Sequence, residues 1–140
     1  MKKKGYYEYN PVVYPRQLYV MIGATKEDIE KCFDNTGDWS QGDNDDVLAT
    51  TIPEVTCKAD GIHGELVVFK SKSKMNAGTM AHEAFHVLSV MMDLLPLRCE
   101  PYGTNEHLAC LLQWIVDCTN KARLGIGNFI ELKHETENKK

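Results

Sequence analysis

Two helix-period runs fill the C-terminal half of the chain, separated by a proline-bearing turn, and they follow a half patterned in twos. That order confines the chain to an α+β fold in which a sheet with one short helix is followed by two long helices. In the first run Asn76 is a candidate N-cap. Apolar positions recur at Ala81, Phe85, Leu88, Met92 and Leu95 until Pro96 stops the pattern. The second begins near Gly103-Thr104-Asn105 and continues through Leu108, Leu111, Leu112, Ile115 and Cys118 to about residue 122, with Gly125 and Gly127 beyond it.

The first half reads as strands. Residues 17–22 alternate, with Leu18, Val20 and Ile22 on one face. Thr25 followed by Glu27 and Asp28 starts a helix expected to run to about residue 34. Residues 35–46 are turn formers and acids. Asp43, Asp45, Asp46 and Glu54 suggest a calcium loop, but Val47 and Leu48 stand where an oxygen ligand and the turn glycine are needed, so a solvated loop is expected. Strands are expected at 47–51, 55–59 and 65–69, the last two forming a hairpin, and again at 128–132. Residues 1–15, broken by Pro11 and Pro15, read as an extended arm rather than a regular element, and 134–140 as a frayed tail. The 140 residues suit one domain.

Composition narrows the partners. A formal charge of −4, with lysines mainly at the ends and around 70–74, argues against a nucleic-acid partner. No run reaches the length of a membrane span. Met1-Lys2-Lys3-Lys4 opens like an export signal, but a Tyr-rich polar stretch follows where an apolar core is needed. Five cysteines form no C-x-x-C pair, which points to reduced thiols in the cytoplasm, with Cys110 and Cys118 expected as apolar packing positions.

The chemistry lies in the first helical run. His82-Glu83-Ala84-Phe85-His86 is H-E-x-x-H, and positions four apart on a helix stand one turn above each other. Both imidazoles can therefore reach one zinc ion, with Glu83 beside the open coordination position as general base. Gly78 and Ser89 share that strip and leave room for a site. Catalytic zinc usually has three protein ligands. Glu106, twenty residues past His86 on the next helix, is the preferred third. His107 competes, but adjacent helix positions differ by about 100°, so the two cannot both face the ion. Glu100 falls in the turn and is less suited.

These residues resemble the zincin metallopeptidases, and within them the gluzincins, over little more than residues 76–118. Short peptidase-like proteins of phages and prophages look similar there. The resemblance implies a zincin-like fold, a zinc cofactor held by His82, His86 and Glu106, Glu83 as catalytic base, and a peptide or protein as substrate. It also implies that residues 65–69 pair with the substrate backbone. The hydrolytic mechanism calls for a side chain that stabilises the oxyanion, for which Tyr102, His63 and His107 are the candidates. Where gluzincins place an Asp to orient a histidine, this chain has Cys110, leaving Asp117 or Asp93 to substitute. The metzincin extension is absent, because Ser89 and Met92 replace its Gly and His. Gly103-Thr104-Asn105-Glu106 is similar to the G-T-x-D segment of aspzincins, which also points to Glu106. A zincin-fold binding or phage-morphogenesis protein without turnover is the alternative reading.

Overall fold

The computed structural model describes residues 3–37 and 47–132. Among them, six strands and three α-helices form a mixed α+β fold: β1 (Gly5–Tyr9), β2 (Gln17–Ile22), α1 (Lys26–Cys32), β3 (Phe33–Asp34), β4 (Ala49–Cys57), β5 (His63–Phe69), α2 (Ala77–Leu94), α3 (Glu106–Arg123) and β6 (Asn128–Glu131). The strands make one sheet in the order β3-β4-β5-β2-β1-β6. β2 and β5 run parallel, and every other pair is antiparallel.

Period-two alternation divides the sheet into two packed faces. Leu18, Val20, Val67 and Phe69 pack against α2 and α3. Tyr19, Met21, Leu66 and Val68 turn the other way and join Ile29 and Phe33, beside α1. Burying aliphatic side chains of this size stabilises by roughly 1.5–3 kcal/mol each, so β2 and β5, with both faces covered, form the rigid centre.

The N-terminal arm expected over residues 1–15 is corrected by the structure. Gly5–Tyr9 is a strand paired on both sides, with β2 and with β6. Tyr6 is buried against Tyr19 and Phe33, while Tyr7 and Tyr9 face the helices, so the tyrosines supply the two-sided burial of an internal strand. α1 is capped by Thr25 as its sequence predicts, with Asp28 completing a reciprocal capping box, and Lys4 reaches Asp28 at 3.1 Å. It stops at Cys32, earlier than expected, because Phe33 is drawn into the aromatic cluster and pairs with Cys57. The strands expected at 47–51 and 55–59 are one strand, β4, with an irregularity between Ile52 and Val55. Pro53, which has no N–H to donate, and Glu54, at φ +57°, sit in that bulge, and Asn35 Nδ2 donates to the Glu54 carbonyl at 2.8 Å. Residues 38–46 of the acidic loop and the tail at 134–140 fall outside those described.

α2 starts at its predicted cap, where the Asn76 side chain accepts from Thr79 N–H at 2.9 Å. Its buried stripe is Met80, Glu83, Ala84, Val87, Leu88 and Met91. This is rotated from the expected stripe, leaving Ala81 exposed and Phe85 59% exposed. α3 buries Leu108, Leu111, Ile115 and Cys118, as expected, and packs along α2. Cys110, expected as a packing position, is exposed instead.

Candidate metal centre

Helical spacing dictates the centre of the site. On α2, His82 and His86 project from the exposed flank with their Nε2 atoms 3.1 Å apart and their ring centres 4.8 Å apart. Two nitrogens bound to one tetrahedral zinc at about 2.0–2.1 Å lie about 3.4 Å from each other. The two imidazoles therefore converge at close to a chelating distance. One ligand atom from each of His82, Glu83 and His86 falls within 4.8 Å of the others.

Glu83 occupies a different environment from the histidines beside it. It belongs to the core-facing stripe of α2 and is only 4% exposed. Its Oε1 accepts from the Thr51 hydroxyl at 2.9 Å, while Oε2 lies 3.8 Å from His82 Nε2. Burying a carboxylate with a single neutral partner is costly unless a cation lies close by. The neighbouring imidazole pair is where such a cation fits. Beside the pair an open cleft of about 560 Å³ is bounded by Leu48, Ala49, Gly78, Thr79, His82 and Glu83. A methyl group on Gly78 would meet only Asn76 Oδ1, at 3.5 Å, so the small residue there serves the open space rather than a tight contact.

Comparison with family models, with curated proteins and with solved structures gives no match for this chain. The site therefore rests on its own geometry. The two imidazoles and the carboxylate at its centre could hold a divalent metal ion.

The other predicted residues stand apart from this group. Glu106 is the first residue of α3 and is exposed, and its Oε1 accepts from the Cys110 thiol at 3.6 Å. It is not among the ligand atoms clustered around the imidazoles. His107 Nε2 lies 2.9 Å from the Arg98 carbonyl oxygen, which commits one ring nitrogen to the turn between the helices. Asn105 ties the same turn together, its side chain bonding Glu100 N–H and the carbonyls of Glu100 and Gly103. Tyr102 is fully exposed in that turn. Neither Asp93 nor Asp117 hydrogen-bonds to His82 or His86 among the described residues.

His63 stands at the start of β5, away from the imidazole pair. Its Nδ1 pairs with Thr56 Oγ1 at 3.0 Å, at the start of β5. Thr51, the partner of Glu83, is opposite Val67. Four residues of strand separate His63 from Val67, about 13 Å at ~3.3 Å per residue. Residues 65–69 are corrected as the substrate-pairing strand. β5 has β4 on one edge and β2 on the other, so its backbone groups are already engaged. β4 differs, because β3 covers only Thr56 and Cys57, and among the described residues its outer edge from Ala49 to Ile52 carries no partner.

Thr51, which holds the Glu83 carboxylate, is not among the residues that the sequence motifs point to. Its signal is a polar residue on the strand face that Val67 shares, directed at the helices. Recognising it requires the register between β4 and β5.

Proposed function

We propose that the chain is a zinc-dependent hydrolase of zincin type that acts on peptide bonds. His82 and His86 hold the metal, Glu106 completes the ligand set, and Glu83 carries the proton. The carrying observation is the buried Glu83 carboxylate, fixed by one hydroxyl at 2.9 Å and set beside two imidazole nitrogens 3.1 Å apart. A zinc ion bound there supplies Lewis acidity, polarising a carbonyl and making water more acidic.

The chain's own groups do the rest. Thr51 holds Oε1 of Glu83 and leaves Oε2 on the His82 side to accept a proton from the attacking water. Glu83 returns that proton to the leaving nitrogen. The outer edge of β4 gives an extended peptide backbone groups to pair with, next to the cleft. Glu106 is preferred over His107 as third ligand because the His107 ring is engaged by the Arg98 carbonyl while the Glu106 carboxylate is exposed. Five free cysteines agree with a reducing compartment such as the cytoplasm.

A binding protein that keeps this site without turnover is the second reading, favoured by the separation of Glu106 from the imidazole group. Metal content and hydrolysis of a quenched peptide library decide between the two. The hydrolase reading expects Glu83→Gln to keep zinc and lose cleavage, and Glu106→Gln to lose zinc. Zinc without cleavage in the parent protein selects the binding reading.

A further inference from the structure

A second cavity of about 460 Å³, which shares no lining residue with the histidine cleft, lies beside Gly23 at the end of β2, Lys70 after β5, and the last turn of α3. Lys3, Lys70, Lys72 and Arg123 line it, and among the described residues no acid does. Tyr7 and Phe129, with ring centres 4.8 Å apart, give it an aromatic wall. In a chain of net charge −4, the described lining of this cavity carries cations from Lys3, Lys72 and Arg123. Among the described residues, Lys3, Lys72 and Arg123 form no salt bridge, and Arg123 Nε donates to the neutral Asn120 side chain at 3.0 Å. Like charges gathered around one space repel, and an anion placed among them removes that cost.

We propose that this cavity binds a small phosphate ester with a flat apolar body, the chemistry of a nucleotide. Its phosphate oxygens accept from the lysine and arginine groups, while its flat part lies against Tyr7 and Phe129. The volume is that of small-ligand sites, about 300–1,000 Å³. The position, beyond the carboxyl ends of the parallel strands β2 and β5, is where sheets with parallel strands leave a crevice for such ligands. The α3 C-terminus contributes a partial negative charge, which Lys121 and Arg123 in its last turn offset. A long polyanion fits less well, because the positive lining is confined to one cavity on an acidic protein.

The test is titration calorimetry of the full chain with ATP, AMP, inorganic phosphate and a long single-stranded oligonucleotide at about 0.15 M salt. ATP should bind saturably and about tenfold or more tightly than inorganic phosphate. Lys72→Glu and Arg123→Glu should each weaken ATP about tenfold, Lys72→Gln less, with thermal unfolding unchanged in the two Lys72 variants. Phe129→Ala should weaken both nucleotides while sparing inorganic phosphate, and His82→Ala should change nothing, since the cavity is independent of the metal reading. No saturable ATP binding, binding indifferent to charge reversal, equal binding of ATP and inorganic phosphate, or binding of the oligonucleotide alone would each overturn the proposal.

Discussion

Replacing Glu83 by Gln should stabilise the metal-free protein while removing the proposed peptide hydrolysis. The carboxylate is 4% exposed, and its described partner within hydrogen-bond reach is the Thr51 hydroxyl at 2.9 Å. Desolvating a carboxylate costs several kcal/mol even after relaxation, and one hydrogen bond to a charged group returns about 1.5–3 kcal/mol. Gln keeps the shape and an oxygen for Thr51 to donate to, without the charge. The expected gain is about 1–2 kcal/mol, a rise in Tm on the order of 5 °C for a chain of this size. Circular-dichroism melting in EDTA measures it. Zinc should reverse the order: at a concentration about 100 times Kd the parent gains about 2.7 kcal/mol, and the variant, lacking the adjacent anion, gains less. A Glu83→Gln protein that melts well below the parent in EDTA would refute the reasoning, since the carboxylate would then be a structural partner.

Two further outcomes follow from contacts around the site and the fold. Thr51→Val keeps the β-branched shape but frees Glu83 Oε1; peptide-hydrolysis kcat should fall by about tenfold to a hundredfold, a cost of about 1.5–3 kcal/mol for a bond to a charged group, with zinc content unchanged. Asp28 is pushed up by burial, but hydrogen bonds from the Thr25 backbone, Lys4 and the Thr25 hydroxyl outweigh this and hold it below the usual carboxylate range. Its contribution is therefore present above its unfolded value of 3.8 and lost as pH falls through the lower folded value. Asp28→Asn should cost about 1 kcal/mol at neutral pH, with the difference from the parent closing in acid, as followed by denaturant unfolding across pH.

Local signals in the sequence carry most of the elements. Thr25 and Asn76 are caps whose side-chain bonds form within three residues, so no distant partner is needed to read them. The H-E-x-x-H geometry is equally local, because one helical turn sets the distance between His82 and His86. What escaped depends on contacts made across the chain. Gly5–Tyr9 becomes a strand only because β2 and β6 arrive on its two sides, and β6 lies more than a hundred residues away. Residues 80–92 of α2 are apolar at so many positions that periodicity leaves the buried face ambiguous; Glu83 belongs to that face and Phe85 does not. The parallel pairing of β2 with β5 encloses β5, which looked like a free hairpin strand from its turn signals alone. The same long-range register creates the Thr51–Glu83 contact.

Zinc K-edge absorption on the reconstituted protein reads the ligand shell of the bound ion itself. About one zinc per chain with nitrogen and oxygen neighbours at about 2.0–2.2 Å is expected, with loss of that ion in His82→Ala and in His86→Ala. Failure of the parent to retain zinc, or a shell of sulfur neighbours at about 2.3 Å drawn from the exposed Cys99 and Cys110, would contradict this expectation.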